Sequence, residues 1–137
     1  MKKSILLLVS LLLVFPLAAR QESVSGPDGR LNVTVSDTGG VPTYQISYDG
    51  VPFLAPSPLG LRADIGNFTE GMELTGVVTG QVEDNYSVPT IKTSAVHYVA
   101  NKGVFTFSKE GKPVMEIIFQ VSNNDVAFRY QVLAPNR

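Results

Sequence analysis

Val104-Phe105-Thr106-Phe107, Val114-Met115-Glu116-Ile117-Ile118-Phe119-Gln120-Val121 and Val126-Ala127-Phe128-Arg129-Tyr130-Gln131-Val132 are apolar, β-branched and aromatic runs. Glu110-Gly111-Lys112 and Asn123-Asn124-Asp125 separate them. A further run, Thr90 to Val99, precedes Asn101-Lys102-Gly103. Short strand-like runs between turn clusters describe an antiparallel meander, with the chain turning at 101–103, 110–112 and 123–125.

Working outward, the same alphabet continues upstream. Leu31-Asn32-Val33-Thr34-Val35 alternates apolar and polar residues, the period of a strand with one buried face. Thr43 to Tyr48 sets Tyr44, Ile46 and Tyr48 on one face, and Asp49-Gly50 reads as a two-residue hairpin turn returning through Val51 to Leu54. Ala55-Pro56-Ser57-Pro58 is expected to interrupt the ladder, because proline lacks the N–H that a central strand donates. Leu59 to Ile65 is expected to form a strand with Leu59, Leu61, Ala63 and Ile65 on one face, and Met72 to Thr79 a strand broken at Gly76. No segment after residue 19 carries a 3.6-residue apolar period, a repeat or a linker. The expected fold class is all-β, as an antiparallel β-sandwich or open barrel in one domain over residues 20–137.

Residues 1–19 have a different character. Met1-Lys2-Lys3 is positive, Ile5 to Leu17 is apolar except at Ser10 and Pro16, and Ala18-Ala19 offers small residues for cleavage. That order is the secretory pattern, and the apolar run is shorter than the ~20 residues a permanent span needs. The plainer alternative is an N-terminal membrane anchor. The chain has no cysteine, which excludes a lipidated cysteine, disulfides and thiolate metal sites. The expectation is a periplasmic or secreted product held together by its core alone. Without Lys2 and Lys3, nine basic residues face twelve acidic ones, a net of −3, and no basic run exists. Nucleic acid has no electrostatic footprint here, and no membrane partner is expected once the leader is removed.

The catalytic inventory is thin, and no catalytic or metal-binding residue is assigned. The single histidine, His97, could serve as a base or metal ligand, but the favoured reading is a strand histidine with no partner. Glycoside hydrolysis needs two carboxyls across a sugar. Glu70 with Glu73 and Glu83 with Asp84 are the close-set pairs, in stretches that read as solvated loops, and no EF-hand spacing exists for calcium. Asn32, Asn67 and Asn85 head N-x-Ser/Thr sequons. Tyr44, Tyr48, Tyr86, Tyr98, Phe105, Phe107, Phe119, Phe128 and Tyr130 could form a sugar-stacking platform, but most alternate along strands as a core does, and tryptophan is absent.

Four strings carry a family resemblance. Ser25-Gly26-Pro27-Asp28-Gly29-Arg30-Leu31 is followed by Tyr44-Gln45-Ile46-Ser47-Tyr48-Asp49-Gly50-Val51-Pro52 and Pro56-Ser57-Pro58-Leu59-Gly60-Leu61. Near the end stands Phe119-Gln120-Val121-Ser122-Asn123-Asn124-Asp125-Val126-Ala127-Phe128-Arg129-Tyr130. Together, in this order, they resemble the N-terminal domain of glycoside hydrolase family 97. Asp125 stands where that family usually has glycine, and Asp tolerates left-handed φ, so the turn can survive. Asp84-Asn85-Tyr86-Ser87-Val88-Pro89 matches loosely, but the Gly-Lys-x-Ser that follows in the family is represented only by Thr90-Ile91-Lys92-Thr93-Ser94.

The resemblance implies a galactose-mutarotase-like β-super-sandwich that packs on a (β/α)8 catalytic barrel in exported, often bacterial, α-glucosidases and α-galactosidases. It implies that the catalytic carboxylates and most ligands of an active-site calcium ion lie in or near that barrel, so none is carried over. Oligosaccharide would then be a partner only through the parent enzyme. Because Ala134-Pro135-Asn136-Arg137 directly follows a strong strand, the expectation is a fragment ending partway through the sandwich. The rival reading is a free-standing carbohydrate-binding β-sandwich module.

Overall fold

The computed structural model describes residues 19–89 and 95–133, so the leader-like residues 1–18 and the stretch 90–94 lie outside the described residues. Among the described residues ten strands form: β1 (Gln21–Ser25), β2 (Leu31–Ser36), β3 (Thr43–Tyr48), β4 (Val51–Pro58), β5 (Arg62–Ala63), β6 (Gly66–Asn67), β7 (Glu73–Ser87), β8 (Ala95–Lys109), β9 (Lys112–Val121) and β10 (Val126–Val132). One sheet runs β1-β2-β3-β4 and a second β10-β9-β8-β7, with β5-β6 as a small ribbon; every pairing is antiparallel.

The two sheets face each other through the alternating residues that the sequence sets inward. Val24, Leu31, Val33, Val35 and Ile46 of the first sheet meet Leu74, Phe105, Phe107, Met115, Ile117, Phe119 and Val121 of the second in one core. β1 lies over β7 and β8, and β2 over β9. On the far side, Tyr44 of β3 touches both Phe119 and Phe128. The architecture is therefore the expected antiparallel β-sandwich.

The Asp49-Gly50 turn is as read, with φ of 50° and 78°, the double positive φ of a type I′ hairpin. Glu110 and Gly111, at 50° and 76°, repeat it between β8 and β9. The β9–β10 turn is built differently. Asp125 does not take a left-handed φ; the Ser122 hydroxyl instead accepts the backbone N–H groups of Asn124 and Asp125 at 3.1 and 2.9 Å.

Four expectations are corrected. The turn at Asn101-Lys102-Gly103 is absent, because β8 runs straight through it. Gly103 is a packing glycine: a Cβ there would sit 2.8 Å from the Phe105 ring and 3.2 Å from Val24. The Pro56 and Pro58 segment stays in the ladder because β4 is an edge strand, where a missing N–H costs no pairing, and register shifts opposite Ile46 absorb the misfit. Leu59 to Ile65 is not one strand. Gly60 at φ 124° bends the chain, Leu59 is buried, and Ile65 is left 64% exposed in the β5–β6 turn. Finally, Glu83 and Asp84, read as lying in a loop-like stretch, belong to a β7 that runs on to Ser87, while Gly76 marks a bulge rather than a break.

Candidate functional site

β7 and β8 are each 15 residues long, but β9 accompanies β8 only from Asn101 onward. Beyond that point, the pairs from Val82↔Ala100 to Ser87↔Ala95 form a two-stranded arm with no third strand among the described residues. Its strands have two faces. Val82, Asp84 and Tyr86 lie with Val96, Tyr98 and Ala100 on one, while Glu83, Asn85 and Ser87 lie with Ala95, His97 and Val99 on the other.

His97 therefore has partners that the sequence reading did not give it. The register puts Asn85 directly opposite, with Asn85 Oδ1 2.7 Å from His97 Nδ1, and places Glu83 Oε1 3.7 Å from Nε2. Both His97 and Glu83 side chains are 59% exposed, so this is a solvated surface cluster. On the other face, Tyr98 Oη donates to Asp125 at 3.4 Å, which fastens the root of the arm to the β9–β10 turn. Partial burial, and then the Asp125 charge, push the Tyr98 phenol above its ordinary range.

The carboxylate pairs do not assemble. Glu83 and Asp84 are neighbours on a strand and point to opposite faces. Glu70 accepts from Asn67 Nδ2 at 2.9 Å, while Glu73 begins β7. Among the described residues no three His, Asp or Glu side chains converge as metal ligands. Two sequon asparagines are engaged in the fold: Asn67 Oδ1 accepts from the Thr69 N–H and hydroxyl at 3.1 and 2.6 Å, and Asn85 holds His97. Asn32 lies half-buried in β2.

The aromatics are mostly core. Phe105, Phe107 and Phe119 are fully buried, and Phe119 stacks at an angle on Phe128 with centroids 5.2 Å apart. Tyr130 stands beside Phe128 and accepts the Gly60 N–H at 3.0 Å. Tyr48 lies under the Arg30 guanidinium at 4.7 Å, and that guanidinium grips Asp49 with two bonds of 2.9 and 2.6 Å. This hydrogen bonding holds the Asp49 carboxyl below its usual range and Arg30 above its own. Exposed apolar residues remain at Val51 and Phe53 of edge strand β4, at Phe128 of edge strand β10, and at Tyr86 of the arm. No helix among the described residues is long and apolar enough to cross a membrane.

The fold is an antiparallel β-sandwich in which β7 and β8 run on together as a two-stranded arm. Residues 24–136 match the family model of the glycosyl-hydrolase 97 N-terminal domain, and the chain belongs to that family. It is 31% identical over 106 residues to a probable retaining α-galactosidase of Streptomyces bingchenggensis, covering 77% of this chain and 16% of that protein. It is 28% identical over 132 residues to a retaining α-galactosidase of Bacteroides thetaiotaomicron, covering 95% of this chain and 19% of that protein. Among solved structures, a β-arabinopyranosidase superposes with a TM-score of 0.77 at 38% identity, over 83% of this chain and 18% of the other. A glycoside hydrolase family 97 enzyme from a Pseudoalteromonas species, in complex with panose, shares the fold with a TM-score of 0.73 at 24% identity, over 81% and 17% of the two chains. The chain thus spans less than a fifth of the length of these relatives.

Proposed function

We propose that this chain is the N-terminal, non-catalytic sandwich of an exported α-galactosidase-class glycoside hydrolase, packing on a (β/α)8 barrel that lies outside this sequence. The observation that carries the reading is the family match over residues 24–136, set against relatives about five times longer. Both curated relatives are α-galactosidases, and the 38% identical neighbour acts on an arabinopyranoside. An L-arabinopyranose ring has the hydroxyl pattern of D-galactopyranose without its hydroxymethyl arm, which favours galacto- over gluco-configured substrates. Catalytic carboxylates, and any calcium ion, belong to the barrel. Export rests on the leader pattern of residues 1–19, with a periplasmic or secreted destination.

A free-standing carbohydrate-binding module is the weaker reading, since three of the aromatic rings that could form its platform are buried in the core. The intact polypeptide is expected to release nitrophenol from 4-nitrophenyl α-D-galactopyranoside, and residues 20–137 alone are expected to release none. Hydrolysis by the short segment, or inertness of the intact protein, would overturn the assignment.

The arm is where we place the barrel contact. A two-stranded ribbon by itself is marginal in water, so six register pairs without a third strand among the described residues call for a covering surface. The face bearing Val82, Tyr86, Val96 and Tyr98 is the apolar one, and Tyr86 is 48% exposed. A covalently attached domain meets it at an effective concentration of about millimolar, which a second copy does not reach. Because the chain lacks cysteine, one introduced thiol reports one position. In the intact polypeptide, Tyr86→Cys is expected to react with a thiol reagent about tenfold more slowly than Lys112→Cys on the exposed β8–β9 turn. Equal rates refute the contact, and protection that fades on dilution assigns the face to a second copy instead.

A further inference from the structure

The earliest contacts of the described chain converge on Asp37, between β2 and β3. The Arg20 backbone nitrogen donates to Asp37 Oδ1 at 2.7 Å, and the Leu74 N–H, on β7 of the opposite sheet, donates to Asp37 Oδ2 at 2.9 Å. The Asp37 N–H returns a bond to the Arg20 carbonyl at 3.3 Å. The Arg20 guanidinium donates to the carbonyls of Leu74 and Thr75 at 3.5 and 3.0 Å and holds Glu22 at 3.1 Å. One carboxylate thus ties the first residue of the folded body to both sheets. Ala19, just before it, is exposed.

We propose that leader removal falls at the Ala19–Arg20 bond and that the α-ammonium it creates on Arg20 is the intended partner of Asp37. The inference rests on the export reading above. A leader peptidase adds one water across that amide, leaving a carboxylate on Ala19 and an amine on Arg20, which takes up a proton near neutral pH. A neutral amide donor at 2.7 Å from Asp37 then becomes a cation with three N–H groups, and charge-assisted hydrogen bonds are roughly twice as strong as neutral ones. Asp37 Oδ2 stays free to keep Leu74. A cut beyond Arg20 would remove its bonds to Asp37, Leu74 and Thr75 and leave Asp37 only its bond to Leu74, and a cut before Ala19 would leave only the neutral amide.

The test has two arms. Intact mass of the exported polypeptide is expected to place its first residue at Arg20; any other start overturns the cleavage site, and retention of residues 1–19 overturns the export reading as well. Two versions of the intact polypeptide, beginning at Arg20 or at Ala19 and released from a fusion by a protease that leaves no extra residue, are then compared by hydrogen exchange. The Leu74 amide is expected to exchange about fivefold more slowly in the Arg20 version, and Asp37→Asn is expected to erase the difference. Equal exchange in the two versions overturns the clamp even where the cleavage site stands.

Discussion

Phe119→Ala will lower the stability of the sandwich by about 3–5 kcal/mol, the range for emptying a fully buried phenylalanine site. Phe119 is at 0% exposure where three aromatic neighbours meet: Phe128 at 5.2 Å, Tyr44 at 5.7 Å and Phe105 edge-on at 5.8 Å. Tyr44 belongs to the other sheet, so the truncation loosens both β9–β10 packing and the contact between layers. The neighbours cannot close the gap, since Phe105 is held by the core and Tyr44 by its strand register. Against a total domain stability of about 5–15 kcal/mol, this is a large share, and the thermal midpoint should fall by roughly 15 °C. Phe128→Ala, at 41% exposure on the open edge, should cost less than half as much. A Phe119→Ala loss under about 1 kcal/mol in denaturant unfolding would mean that the inter-sheet core lies elsewhere.

What could be read in advance depended on whether a residue's neighbours were in its own strand or across space. Leu31, Val33 and Val35 announced a buried face because burial on one side forces a period of two, and all three are at or below 5% exposure. Asp49-Gly50 announced its turn because the required φ values are local. The outer half of β7 and β8 was invisible for the converse reason. Glu83, Asp84 and Asn85 are all exposed although they alternate between the two faces of the ribbon, so nothing imposes apolar alternation on them, and such residues read as solvated loop. The partners of His97 follow from a register that no local pattern encodes. Gly103 misled most directly: beside Asn101 and Lys102 it looks like a turn, but its lack of a side chain serves the Phe105 ring and Val24 across the interface. β1 went unseen because Val24 is its only buried residue. At the candidate site, the arm was not legible, because its register is set across space.

Gly26→Ala should rank next in cost, at about 3 kcal/mol, and for a reason unrelated to backbone freedom. Gly26 opens the Gly26-Pro27-Asp28-Gly29 turn, donating to the Leu31 carbonyl at 2.8 Å and accepting from Gly29 at 2.9 Å. A Cβ added there would lie 2.3 Å from the Ser122 carbonyl oxygen and 3.0 Å from its carbon, both of them backbone atoms with little room to move. Ser122 is itself committed, its hydroxyl closing the β9–β10 turn, while Asn123 Oδ1 accepts the Asp28 N–H at 2.9 Å. Separating the two turns by the distance a methyl needs would therefore break the Asn123–Asp28 bond that joins the sheets at this end. Gly29→Ala provides the contrast. Its φ is 76°, with nothing within 4 Å of the new methyl, so only the left-handed strain of about 1–2 kcal/mol applies. Denaturant midpoints compared at unchanged slope should give Gly26→Ala the larger loss. The reverse order would show that the two turns do not touch in solution, and that this glycine is kept for its dihedral freedom alone.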